Sequence, residues 1–219
     1  MLSWLQRWGA EVYGVQVSRP AAEAAAQRIG AQRVFVGELA EAAYPDAWFD
    51  CVTLWHVLEH VPDPVALLRE IRRVMKPDGV VYVEVPNAGG WSAGVFGRHW
   101  LGLDVPKHLV HFTPVSLLAV ASQAELRCVE TRHMSWEYSP VTLLQSLLIA
   151  WLGGDHLLFR SLSYEPSGAT RMSSRRILHL GLALVCAIPA AIVSRLLAVA
   201  KCGDALVAFF KVNPEASRV

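Results

Sequence analysis

Apolar positions fall into two uninterrupted runs, Phe49 to Trp55 and Val80 to Val85, with a stretch of helical spacing between them. Runs of this kind, rich in Val, Leu and aromatics, predict strands buried on both faces of a parallel sheet. Between them Leu67, Leu68, Ile71, Val74 and Met75 share one helical face. Asp63 stands at the N-cap position and Pro64 at the first helical position, where a missing N–H costs nothing, and Pro77-Asp78-Gly79 ends the helix. The unit is a right-handed βαβ crossover, which places function beyond the carboxyl ends of its strands. The loops there, 55 to 63 and 86 to 112, are rich in His and Trp.

The same pattern read outward predicts a helix over residues 2 to 8 stopped by Gly9, and a strand from Glu11 to Val15. A helix capped by Ser18 and closed by Gly30 follows, then a strand from Arg33 to Val36. Thr113-Pro114 starts a helix to about Gln123, and Arg127 to Thr131 is a strand. Pro140 to Leu152 reads as an apolar helix, and Ser161 to Arg176 as a polar linker carrying Arg171, Arg175 and Arg176. Ile177 to Ser194 holds no Asp, Glu, Lys or Arg, contains Pro189, and is followed by Arg195 and Lys201. Residues 140 to 201 admit three readings: a lid packed on the core, a hairpin in the membrane interface, or a transmembrane span. Gly203-Asp204 turns the chain into ALVAFFKV, a last strand expected at the sheet edge.

Composition sharpens the picture. Hydrophobic residues make up 53% of the 219 and charged residues 18%, more apolar than an ordinary soluble domain, so apolar surface is expected to meet lipid or a greasy substrate. A net charge of +1 without a basic stripe argues against nucleic acid as a partner. Cys51, Cys128, Cys186 and Cys202 lack paired spacing and read as buried thiols in a reducing cytosol. The start LSWLQRW has neither a basic leader nor a cleavage site, which suggests a cytoplasmic chain.

Candidate chemistry gathers after the first strand of the crossover. His56, Glu59 and His60 are spaced i, i+3, i+4, so one helical turn would point all three to one side. Such a set could hold a divalent metal, could supply a general base or position a substrate through His56 or His60, or could merely organise the loop. A zinc peptidase helix is disfavoured, because the letters follow a strand and stop two residues before Pro62. From Asn87 to Thr113 runs a long connection of the kind used for lids and binding loops, holding Trp91, Trp100, Lys107, His108, His111 and Phe112.

FDCVTLWHVLEHVPDPVALLREIRRVMKPDGVVYVEVPN together with FGRHWLGLDVPKHLVHFTP resembles the class I S-adenosylmethionine-dependent methyltransferases, in the branch near the quinone and lipid O-methyltransferases. The likeness runs from about Trp8 to Arg132 and more loosely over Ala205 to Val212. It implies an α/β fold with a doubly wound, mostly parallel sheet, and methyl transfer from S-adenosylmethionine to an oxygen of a small apolar acceptor. It also implies cofactor contacts at Gln16, Glu38, Leu39 and Trp55, catalytic roles for His56, His60, His108 and His111, and a divalent metal at Glu59 and His60 that orients a catechol-like hydroxyl.

Two departures bear on that reading. The family's helix follows a first strand and a glycine-rich turn, whereas here Met1 falls after the place of that turn and no G-x-G-x-G precedes the helix, so the fold is expected to be truncated at its amino end and its sheet to lack a middle strand. Gln16 stands where the family has an acidic residue for the ribose hydroxyls. These departures favour the alternative of a non-catalytic, methyltransferase-like or membrane-attached module, and they predict that the chain as given binds the cofactor weakly or not at all. The expected organisation is a core at 1–133, an apolar helical insert at 134–202 with peripheral contact at the inner face of a membrane through 140–201, and a returning strand and tail at 203–219.

Overall fold

The computed structural model describes residues 1–152 and 174–213. At its centre stand β3 (Phe49–Trp55), α3 (Pro64–Val74) and β4 (Met75–Pro86), with β3 and β4 parallel and paired from Cys51 opposite Val80 to Trp55 opposite Glu84. The Asp63 carboxylate accepts the Ala66 N–H at 2.9 Å, which starts α3 where the sequence places it. Leu68, Ile71 and Val74 are wholly buried beneath the sheet. The helix stops at Val74, and Lys-Pro-Asp-Gly does not stand off as a free turn: it joins the irregular start of β4, where the Lys76 ammonium reaches both Asp50 carboxylate oxygens at 2.8 Å. Gly79 is required there, because a Cβ would come within 2.5 Å of the Met75 side chain and 2.9 Å of the Lys76 carbonyl oxygen.

The main sheet runs β3-β4-β6-β5, with β5 at Leu126–Arg132 and β6 at Ala205–Val212. Antiparallel to both neighbours, β6 lies inside the sheet and not at its edge as the sequence suggested. Its apolar run explains this, since Ala205 to Ala208 are buried and such a strand would waste one side at an edge. One face of β4 and β6 packs with α3 and with α5 (Pro114–Gln123) around Leu58, Leu68, Ile71, Val81, Val83 and Phe210. A capping box, in which Thr113 and Ser116 exchange side-chain and backbone hydrogen bonds, starts α5.

A second sheet pairs β1 (Gly14–Gln16) in parallel with β2 (Val34–Val36) across α2 (Arg19–Ile29), and α1 (Leu2–Arg7) precedes it. The rings of Tyr13, Tyr44 and Phe49 meet at 5.0 to 5.9 Å where β1 and β3 begin, yet among the described residues the two strands do not pair. The separation of the two sheets is thus visible in the strand pairing. It also corrects the expectation for β3: Asp50, Cys51 and Trp55 are exposed, because one edge of that strand has no neighbour. Cys51 is therefore an accessible thiol, and the other three cysteines, free like Cys51, are half-buried.

Past the sheet, α4 (Trp91–Phe96) and two 3-10 turns (Gly97–His99 and Leu101–Leu103) give the long connection a packed form. Over them lies α6 (Ser139–Leu152), with the Leu101 N–H donating to Ser146 Oγ at 3.0 Å, and outside α6 lies α7 (Ser174–Val199). Leu143, Leu144 and Leu148 of α6 meet Ala183 and Ala190 of α7 in a second apolar cluster. All of the predicted linker but its last three residues lies outside the described residues.

Candidate active site

His56 leaves β3 in the left-handed backbone region, at φ +49°, a conformation uncommon for a residue with a side chain. Its N–H donates to the Glu84 carbonyl oxygen at 3.0 Å, which anchors the turn to β4. Its ring then lies between two buried carboxylates, with Nδ1 3.1 Å from Glu59 Oε1 and Nε2 3.3 Å from Glu84 Oε1. The first contact is a hydrogen bond; the second is an ion-pair contact off the line of the N–H. Burial alone would lower the imidazole's pKa, but the paired Glu59 and Glu84 outweigh it and hold the imidazolium up to about 9. Glu84 in turn is kept below the usual carboxylate range, its burial being outweighed by His56, Ser135 and Tyr82. Tyr138 completes the surround, its ring centroid 4.3 Å from that of His56.

Residues Leu58–His60 form a 3-10 turn, so the i, i+3, i+4 face expected of an α-helix is not what gathers them. Leu58 is driven into the core, Glu59 is buried against His56, and His60 points outward. The segment 107–111 is stitched beside this turn, since the Glu59 carbonyl oxygen accepts the N–H of Leu109 at 2.8 Å and of Val110 at 3.1 Å.

Three backbone carbonyls then fix the rings. His60 Nδ1 lies 2.8 Å from the Lys107 oxygen, His108 Nδ1 2.7 Å from the Gly102 oxygen, and His111 Nε2 2.8 Å from the Leu103 oxygen. A carbonyl can only accept, so each of these nitrogens carries the proton. In the neutral rings the lone pairs stand on Nε2 of His60, Nε2 of His108 and Nδ1 of His111. The rings of His60 and His108 are 4.8 Å apart, and those of His108 and His111 6.3 Å. Burial pulls the His108 pKa below its ordinary value, against the hydrogen bond to Gly102, and so favours the form with a free lone pair.

One ligand atom from each of Glu59, His60 and His108 lies within 4.8 Å of the others. Glu59 Oε2 is buried without a hydrogen-bond partner, which leaves an acceptor available beside the two imidazoles. Two nitrogens and a carboxylate oxygen suit a borderline transition metal better than magnesium or calcium.

The cofactor-side positions lie elsewhere. Gln16 ends β1 and is exposed, Glu38 follows β2 and is exposed with its N–H on Glu41, Leu39 packs on the main core, and Trp55 ends β3 stacked on Tyr82 at 5.1 Å. Among the described residues no hydrogen bond or ring contact links these four to the histidine cluster. Sequence reasoning passed over Glu84, Tyr138 and Asp204. Glu84 had a signal, a lone acid in VVYVEVP; Tyr138 comes from a distant helix start and had none. Asp204, almost fully buried beside Ser92, has its carboxyl pushed up to about 6 by that burial.

A model described as a methyltransferase domain matches residues 1–131. A ubiquinone biosynthesis O-methyltransferase of Haemophilus ducreyi is 33% identical over 100 residues, 43% of this chain and 42% of that protein. One of Escherichia coli O7:K1 is 33% identical over 150 residues, 63% of this chain and 61% of the relative. The chain thus spans about half the length of the curated relatives it matches. Among solved structures, a TehB-like SAM-dependent methyltransferase from Corynebacterium glutamicum has TM-score 0.50 at 16% identity, over 96% of this chain and 73% of that one. The MccD protein has TM-score 0.50 at 13% identity, over 93% and 81%. These two show the fold.

Proposed function

The chain belongs to the family of the methyltransferase domain matched over residues 1–131, and from that premise we propose that it moves a methyl group from S-adenosylmethionine to a hydroxyl of a small apolar acceptor, a quinone precursor or similar phenol, in the cytoplasm. The observation that carries the reading is the grouping of Glu59, His60 and His108 beyond the end of β3, one ligand atom of each within 4.8 Å of the others.

When bound, S-adenosylmethionine supplies an electrophilic methyl, so the protein's task is to orient the acceptor oxygen and remove its proton. His108 Nε2 accepts that proton, as its neutral ring and fixed Nδ1–H allow. His56 does not share this task at neutral pH, because it is already protonated between two carboxylates; it holds Glu59 in place instead. His60 and Glu59 hold the acceptor hydroxyl, and the buried Trp100 and α6 keep water from that side of the site. His111 stands behind His108, its ring fixed on Leu103, as a support. Glu59, His60 and His108 could instead hold a divalent metal, which would take up the His108 lone pair and polarise the acceptor oxygen in place of base catalysis by that ring.

For the cofactor, Gln16, Glu38 and Trp55 present exposed side chains at the ends of β1, β2 and β3, as ribose and adenine contacts would need. These three side chains offer only part of the contacts such a cofactor needs, each hydrogen bond contributing about 1 kcal/mol. Calorimetric titration with S-adenosylhomocysteine tests this. Heat that saturates in the submillimolar range supports the cofactor contacts assigned to Gln16, Glu38 and Trp55, and no binding at millimolar concentration overturns that assignment.

A further inference from the structure

The outer side of α7 is an extended apolar face that the site does not use. Leu184, Val185, Ile188, Ile192, Leu196 and Val199 are 57 to 81% exposed and fall on one stripe of the helix. The inner side, Ala183, Ala190 and Ser194, is buried. Between Gly181 and Val199 the sole charged residue is Arg195. Nineteen residues of helix reach about 28 Å, long enough to cross a bilayer, but the neighbouring elements oppose crossing. Its partner α6 buries Thr142, Gln145 and Ser146 and is bonded through Ser146 to the turn at Leu101, so the pair cannot enter hydrocarbon without carrying polar groups and the site's cover with it. At its other end α7 is tied to the sheet, with only a few residues between Val199 and β6.

The flanks indicate what covers the stripe. The Arg195 guanidinium lies 5.5 Å from the centre of the Trp136 ring, and Trp136 is 70% exposed before the start of α6. Trp151, 81% exposed, stands at the opposite end of α6, and Lys201 follows α7. Indole rings at both ends of an apolar helical pair, with cations at one end, match a headgroup layer over acyl chains better than a protein groove.

We propose that the outer face of α7 seats this chain on an anionic lipid surface, with α7 lying in the plane of one leaflet and Trp136, Trp151 and Arg195 at headgroup level. The site then lies behind α6 on the lipid side of the molecule, where an apolar acceptor dissolved in the membrane is within reach.

Flotation of the full chain with phosphatidylcholine vesicles, with and without about 30% phosphatidylglycerol, tests this against the variant Ile188→Glu/Ile192→Glu. Both substituted residues are exposed, so the variant should keep the parent's circular dichroism and melt. The parent should float with the anionic vesicles, the double variant about tenfold less, and Arg195→Ala should lose binding on anionic vesicles more than on neutral ones. A folded double variant that floats like the parent overturns the proposal. So does a parent that stays at the bottom of the gradient, including one whose sedimentation shows a dimer that the double variant abolishes, since the face would then join two copies.

Discussion

Replacing His56 by Gln should remove a pH-dependent part of the stability, because the ring is an imidazolium held by two carboxylates. Its pKa rises from 6.5 to about 9, which corresponds to about 3 kcal/mol of preference for the protonated folded state. A raised pKa stabilises fully below the unfolded value of 6.5, and the contribution fades as pH climbs through about 9. Other shifted groups act mainly outside this window. His108, with its lowered pKa, contributes above 6.5 and loses that as pH falls; Glu84 is lost only in acid; buried Asp204 has ionised once pH passes about 6. The thiols of Cys51, accessible but partly desolvated and beside the Asp50 carboxylate, and of half-buried Cys128 are raised above their ordinary value and titrate in parent and variant alike. Urea unfolding followed by tryptophan fluorescence, at steps from pH 7 to 10, should show the parent more stable than the variant by about 3 kcal/mol or more at pH 7, since Gln leaves Glu59 and Glu84 without a cation. That gap should narrow by about 2 to 3 kcal/mol by pH 10. A gap that stays constant across the range would refute the imidazolium assignment.

Two further outcomes follow from the geometry. Cobalt(II) added to the chain should give visible d–d absorption that Glu59→Gln and His108→Ala each weaken by about tenfold or more in affinity, whereas His99→Ala leaves it unchanged; equal spectra for all four proteins would remove the metal from the account. Thr113→Ala should lower stability by about 1 kcal/mol through loss of the capping box on α5, read as a shift in the urea midpoint with an unchanged slope, and no shift would mean that water satisfies the helix start equally well.

The crossover from β3 to β4 was legible because its signals are local: two apolar runs, Asp63-Pro64 at the helix start and a glycine that geometry requires at 79. The meeting of His56 and Glu59 was legible for the same reason, although the turn is 3-10 and not α. That His60 and His108 would face each other rested on the family likeness, since nothing within either segment encodes the other. The interior place of β6 was not legible, because an apolar strand reads alike at an edge or in the middle until its neighbours are known. Nor was the role of His56: its protonation depends on Glu84, which the β3–β4 register alone brings within reach. Burial of β3 was overestimated, since its composition describes a strand with two neighbours and the structure gives it one.

The central claim is that His108, beside His60 and Glu59, removes the acceptor's proton during methyl transfer. The measurement that bears on it most directly is tritiated methyl incorporation from millimolar S-adenosylmethionine into an alkylated catechol, comparing the chain with His108→Ala and His60→Ala. The account predicts transfer by the parent, a loss of about 100-fold or more in turnover for His108→Ala, and urea midpoints within about 1 kcal/mol of the parent for both variants. Transfer that His108→Ala leaves intact, or variants that lose stability and turnover in equal measure, would contradict it.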